Sequence, residues 1–159
     1  MGRSPEYISN SVEETQAIAY QLAESARAGD IFCLCGQLGA GKTAFAQGFA
    51  KGLGYDGYVN SPTFTFMQMY SGGRLEVYHF DLYRLMDVLD GNVSVDSDLL
   101  EDIGFFEYLD AFGVCLIEWA ECAKEFIPDG AIWIEIRRID NDHTCTRHIW
   151  NHRKCGHHG

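Results

Sequence analysis

The chain alternates between two hydrophobic periods. Ser11-Val12-Glu13-Glu14 has the form of a capping box, and Thr15, Ile18, Ala19, Leu22, Ala23 and Ala26 then recur at helical spacing up to Gly29, which predicts an amphipathic helix. Ile31 to Cys35 is a short apolar run suited to a buried strand, and Lys42 to Leu53 returns to the helical period before Gly54 stops it. Phe64 to Tyr70 and Arg74 to Phe80 flank Ser71-Gly72-Gly73, the pattern of two strands joined by a tight turn. Leu99 to Tyr108 reads as helix, Val114 to Ile117 as a buried strand, and Ala120 to Phe126 as a short helix closed by Pro128. Ala131 to Ile139 reads as a last strand with Ile132, Ile134 and Ile136 on one face.

Strands alternating with helices place the chain in the α/β class, with a mainly parallel sheet to which the hairpin adds antiparallel pairing. At 159 residues, 47% of them hydrophobic, there is room for one domain with a real core. We expect it to span 1–139, followed by a polar, His-rich and loose tail over 140–159. Twelve Lys and Arg against 23 Asp and Glu give a net charge of -11, which repels a nucleic-acid backbone and argues against autonomous RNA or DNA binding. No apolar run reaches the roughly 18 residues of a membrane span and no signal pattern is present. Cys33, Cys35 and Cys115 fall in core strands, where free thiols pack as small hydrophobes. The expected setting is therefore the cytoplasm.

Between the first strand and its helix lies GQLGAGKT, Gly36 to Thr43. Gly36-x-x-x-x-Gly41-Lys42-Thr43 is the full phosphate-loop (P-loop) pattern in the strand-to-helix context that its chemistry needs. Glycines let successive backbone N–H groups converge on phosphate oxygens, and the helix N-terminus adds positive potential. Gly36, Leu38, Gly39, Ala40, Gly41, Lys42, Thr43 and Ala44 are the nucleotide-binding candidates. Lys42 suits the β- and γ-phosphates and the Thr43 hydroxyl suits magnesium. The fold expected is the three-layer P-loop NTPase architecture. The Asn-Lys-x-Asp tetrapeptide of guanine recognition is missing from the sequence, so ATP with magnesium is the expected pair.

A bound magnesium needs carboxylates besides the Thr hydroxyl. Glu118 ends the apolar strand Val114 to Ile117, where a second-motif acid emerges beside a phosphate loop, and Asp81 ends the strand carrying Val77 and His79. Position favours Glu118; for Asp81, taken alone, an ordinary strand-end acid fits as well. Read by itself, His79 is more often a satisfied strand histidine and Tyr83 a core aromatic, and a packing role fits Trp119 equally.

Five blocks together carry a family resemblance: GQLGAGKTAF (36–45), SPTFTF (61–66), YHFDLYRL (78–85), DIGFFEYLD (102–110) and IEWAE (117–121). In order and spacing they resemble the TsaE (YjeE) family, small bacterial P-loop ATPases of tRNA threonylcarbamoyladenosine biosynthesis. The resemblance runs from about residue 11 to 139, and the later blocks are far more specific than the first. It implies that Lys42 and Thr43 contact phosphate and magnesium, and that Ser61-Pro62-Thr63 is a switch-type loop whose Thr63 can close on the metal or γ-phosphate. It also implies that Asp81 is linked to magnesium and that Glu118 supports metal or attacking water. Trp119 is similar to the family tryptophan beside Glu118 and joins the nucleotide-binding candidates. Catalysis would then rest on Lys42, Thr63, Asp81 and Glu118, with Thr43, Asp81 and Glu118 at the metal.

Three positions depart from the family pattern. Ala44 replaces a common second Thr, at a cost of about 0.5–1.5 kcal/mol for one lost neutral hydrogen bond. Ala120 follows IEW where Pro is usual. Met86 to Asp102 is longer than expected and reads as a loop insertion around Gly91-Asn92-Val93-Ser94-Val95.

From Leu85 to Ala123 there are ten acids and no Lys or Arg. Small-molecule kinases usually close a basic lid over the transferring phosphates, and Arg84 is the best placed arginine that could act within this chain. An ATPase lacking part of its positive complement suits control by partners. The resemblance implies TsaB- and TsaD-like partners, with tRNA met only through the complex and no membrane. A P-loop small-molecule kinase, or a nucleotide-dependent binding module with negligible hydrolysis, are the alternatives. His143, Cys145, His148, His152, Cys155, His157 and His158 could ligate zinc, but without a compact Cys-x-x-Cys unit they read as a solvated tail.

Overall fold

The architecture comes from a computed structural model that describes residues 4–152 except 38, 63, 90 and 140–145. In chain order the elements are β1 (Tyr7–Ser9), α1 (Val12–Glu24), β2 (Ile31–Cys35), α2 (Lys42–Gly52), β3 (Met67–Tyr70), β4 (Val77–Asp81), β5 (Met86–Leu89), β6 (Asn92–Val95), α3 (Ser97–Asp102), α4 (Phe105–Leu109), β7 (Val114–Glu118), β8 (Ile132–Ile139) and β9 (Thr146–His152). Short 3-10 turns occupy Tyr83–Leu85 and Ala120–Phe126. Among the described residues, seven strands form one sheet in the order β1-β9-β8-β2-β7-β4-β3, and β5 and β6 pair separately.

β8, β2, β7 and β4 run parallel, and β3 joins β4 antiparallel as the hairpin pattern predicted. The opposite edge differs from expectation. β9 pairs antiparallel with β8 from Trp133↔His152 to Ile139↔Thr146, and β1 pairs antiparallel with β9. Residues 146–152 are therefore a strand of the main sheet, beyond the boundary expected at 139. His148 and His152 sit on this strand; His143, Cys145, Cys155, His157 and His158 lie outside the described residues.

Alternation along the strands divides the core in two. Phe32, Leu34, Leu116, Ile132, Ile134 and Ile136 face α1 and α2, whereas Ile31, Cys33, Phe80, Cys115, Ile117 and Trp133 face α3, α4 and the 120–126 turn. Helices thus cover both faces of the parallel centre, giving the three layers. Phe49 of α2 is fully buried, with Phe32 edge-on at 4.7 Å and Phe45 stacked at 6.2 Å. α1 packs on α2 through Gly48, where an added Cβ would collide with the Gln16 backbone. Ser11 caps α1 by accepting from the Glu14 N–H, as the capping box predicted.

Two further readings are refined. The single helix expected over 99–108 is two, α3 and α4, because Gly104 takes φ 77 between them. The Met86–Asp102 insertion holds the β5–β6 hairpin and α3. Cys33, Cys115 and Cys122 are buried and Cys35 half-buried, and burial pushes the Cys115 and Cys122 thiols up to about 12. Among the described residues no helix is long and apolar enough to cross a membrane.

Candidate functional site

The site forms where the parallel strands end. β2 leads into the phosphate loop, and α2 starts at Lys42 directly after Gly41, whose φ of 113 places it in the left-handed region. Next to β2 is β7, ending at Glu118, and next to β7 is β4, ending at Asp81; Asp81 and Glu118 are register partners. Two acids 37 positions apart in the chain thereby stand on neighbouring strand ends beside the loop. Gly39, Gly41, Lys42, Thr43, Asp81, Glu118 and Trp119 all line one cavity of about 390 Å³, together with Ser61 and Tyr83. A larger groove of about 680 Å³ between α1, α2 and the Tyr55–Val59 segment contains none of these groups. Chemistry rather than size therefore picks out the smaller cavity.

Lys42 is 5% exposed. Its ammonium donates to the Gly36 carbonyl at 2.7 Å and sits 3.5 Å from the centroid of the Trp119 ring. Burial lowers its pKa from the ordinary lysine value, and the negative charges of Glu118, Glu121 and Asp81 partly oppose this. A buried ammonium held by a neutral carbonyl and a ring face gains from an anionic partner. Trp119 itself takes φ 61, a costly conformation for a bulky residue, and packs on Tyr83 at 5.0 Å.

Both acids are 3% exposed and hydrogen-bonded. Asp81 accepts from the Ser61 hydroxyl at 2.8 Å on one oxygen and from the Tyr83 N–H at 2.9 Å on the other. Glu118 lies 2.6 Å from His79 Nε2, and His79 Nδ1 lies 2.8 Å from the Tyr70 hydroxyl, which also reaches the Asn60 carbonyl at 3.3 Å. Burial, followed by the Glu118 charge, raises the Tyr70 pKa well above that of a solvated tyrosine, so its hydroxyl keeps its proton. Asn60 and Ser61 are consecutive. One short segment is thus tied to both acids.

Seven of the eight loop positions expected to bind nucleotide are described, together with Trp119; Leu38 and Thr63 lie outside the described residues. Ala44 is buried in the first turn of α2. Ala120 opens the 3-10 turn directly after Trp119, a first-helical position that suits Pro and Ala alike. Arg84, expected as the internal arginine, is exposed and stacks at 5.0 Å on Phe64. Sequence reasoning missed Tyr70 and Arg147 as parts of the site, and placed Ser61 in a switch-type loop without its bond to Asp81. Arg147, on β9, donates from Nε to the Ala40 carbonyl at 2.7 Å and from a terminal nitrogen to Gly39 at 3.4 Å.

Residues 9–149 match the family model of the threonylcarbamoyl adenosine biosynthesis protein TsaE. The chain belongs to the TsaE family. It is 45% identical over 130 residues to the tRNA threonylcarbamoyladenosine biosynthesis protein TsaE of Bacillus subtilis, covering 82% of this chain and 75% of the relative. To the protein of the same name from Rickettsia conorii it is 35% identical over 146 residues, 91% of this chain and 78% of that one. The crystal structure of Bacillus subtilis YdiB superposes with a TM-score of 0.71 at 36% identity, covering 92% of this chain and 84% of the other. The TsaE match extends into β9, so the strand outside the expected domain lies within the family's own span.

Proposed function

We propose that this TsaE-family chain binds ATP with magnesium at the phosphate loop and hydrolyses it slowly, serving as the ATPase accessory of tRNA threonylcarbamoyladenosine biosynthesis together with TsaB- and TsaD-like partners. One observation carries the reading: a buried lysine, a helix N-terminal Thr and two acids from adjacent strand ends share a single cavity. The donor set fits the metal. Hydroxyl and carboxylate oxygens are the hard ligands that magnesium prefers, and Thr43, Asp81 and Glu118 supply them. Magnesium held there would offset negative charge on the phosphate oxygens.

In this reading the Gly41 and α2 N–H groups and Lys42 orient the phosphates. Glu118 accepts a proton from water as the water oxygen bonds to the terminal phosphorus and the bond to the bridging oxygen of the leaving ADP breaks. Among the described residues lining the cavity, Lys42 is the one cation. A site with so little positive charge stabilises the transition state poorly by itself, which supports stimulation by partners. Ser61 holds Asp81, so movement of the 60–66 segment is the natural point at which nucleotide state alters the metal acids.

The test is phosphate release by the purified protein, alone and with TsaB- and TsaD-like proteins, beside the Lys42→Ala variant. Slow release that rises with the partners and vanishes in the variant supports the proposal. Release unchanged by the partners, with tRNA modification intact in a Lys42→Ala strain, refutes it.

A further inference from the structure

The phosphate loop works by pointing N–H groups inward, and a trans peptide plane points its carbonyl the opposite way. Carbonyls on the outer side of such a loop need donors of their own, or the planes can turn. The described residues contain no cis peptide bond. The plane joining Ala40 and Gly41 therefore sends the Gly41 N–H away from the Ala40 carbonyl. That carbonyl receives the Arg147 Nε at 2.7 Å, while the same guanidinium reaches the Gly39 carbonyl at 3.4 Å.

We propose that Arg147 is a positioning residue for nucleotide binding: a guanidinium from strand β9 that fixes the peptide planes of the phosphate loop from behind. The inference rests on the proposed nucleotide-binding reading of the loop. Three features support it. Arg147 is held in place by a strand on each side, opposite Arg138 on β8 and Ser9 on β1. A planar fork with several N–H donors can serve two adjacent carbonyls, which the point charge of a lysine does less well. At Gly41 a Cβ would stand 3.0 Å from the Arg147 Nε and 3.1 Å from its Cδ, so the glycine leaves the space that the guanidinium stem fills.

Because the loop contacts the phosphates before and during reaction alike, loss of the brace weakens binding in ground and transition state together and raises KM with little change in kcat. The test uses the full chain with magnesium–ATP, comparing Arg147→Gln, Arg147→Lys and, as a control for charge, Arg27→Gln in the exposed connection between α1 and β2. Binding is measured calorimetrically, turnover by phosphate release, and folding by the thermal midpoint. The expected result is a rise of about tenfold in Kd and KM for Arg147→Gln, as for one lost charge-assisted hydrogen bond, a smaller rise for Arg147→Lys, kcat within about twofold, and no change for Arg27→Gln. Binding within twofold of the parent protein in Arg147→Gln overturns the proposal, as does a fall in kcat at constant KM. Loss of folding in both Arg147 variants also overturns it, in favour of a strand residue needed only for the sheet. Failure of the unsubstituted protein to bind magnesium–ATP sinks the nucleotide reading itself, and shows before any substitution is compared.

Discussion

The two halves of the site are built in different ways. The phosphate-loop half is continuous in sequence: Gly36 to Thr43 turns out of β2 into α2, and its donors are backbone groups and one lysine. The acid half is assembled from separate strands, and its carboxylates are held largely by side chains, Ser61 beside the Tyr83 N–H on Asp81 and the Tyr70–His79 pair on Glu118. Backbone donors are fixed by local folding, whereas the acids depend on hydrogen bonds that can be exchanged. The first half suits binding; the second suits control.

Substitutions can break this contrast. The largest expected effect is Glu118→Gln, which should slow phosphate release by about 10²–10⁴-fold, the usual contribution of a positioned proton acceptor, while magnesium–ATP still binds; equal losses in both would merge the two halves. Next comes Lys42→Ala, expected to weaken binding by roughly ten- to a hundredfold through loss of a charged contact worth about 1.5–3 kcal/mol, read by calorimetry. Tyr70→Phe removes the hydroxyl between His79 and Asn60. It should lower turnover by no more than about fivefold, in keeping with a neutral hydrogen bond near 1 kcal/mol, and leave binding unchanged. A shift in affinity instead would place Tyr70 with the loop.

A smaller effect lies away from the site and reads only the fold beneath it. Burial raises the Cys115 thiol to about 12, above the free value of 9.0. The folded state therefore keeps a proton that the unfolded chain loses, and stability contributed below pH 9 declines as pH rises toward 12. Denaturant unfolding at pH 10 should find Cys115→Ala less alkali-sensitive than the parent by about 1 kcal/mol.

The same contrast explains what could be read from sequence. The phosphate loop was legible because all its determinants are adjacent, and Glu118 because it ends an unbroken apolar strand. Asp81 needed the family blocks, since a strand-end acid carries no sign of its neighbour across the sheet. Tyr70 was illegible because its role comes from a cross-strand contact, Tyr70 meeting His79 only when β3 folds back on β4, and the bond of Ser61 to Asp81 joins a loop to a strand end 20 positions away. β9 was missed for a compositional reason: Thr146-Arg147-His148-Ile149-Trp150-Asn151-His152 has two apolar residues side by side and no clean alternation. It is a strand because β8 and β1 offer it hydrogen bonds on both sides. Gly104 broke a predicted helix that apolar spacing alone would have carried through.

The contact between Arg147 and Ala40 spans 107 positions of the chain. On a ribosome adding about 5–20 residues per second, the glycine-rich turn emerges some 5–20 seconds ahead of the arginine that backs it. An unfinished polypeptide would carry the whole motif without its rear support, so its hold on nucleotide would tighten when the arginine is made rather than when the motif appears.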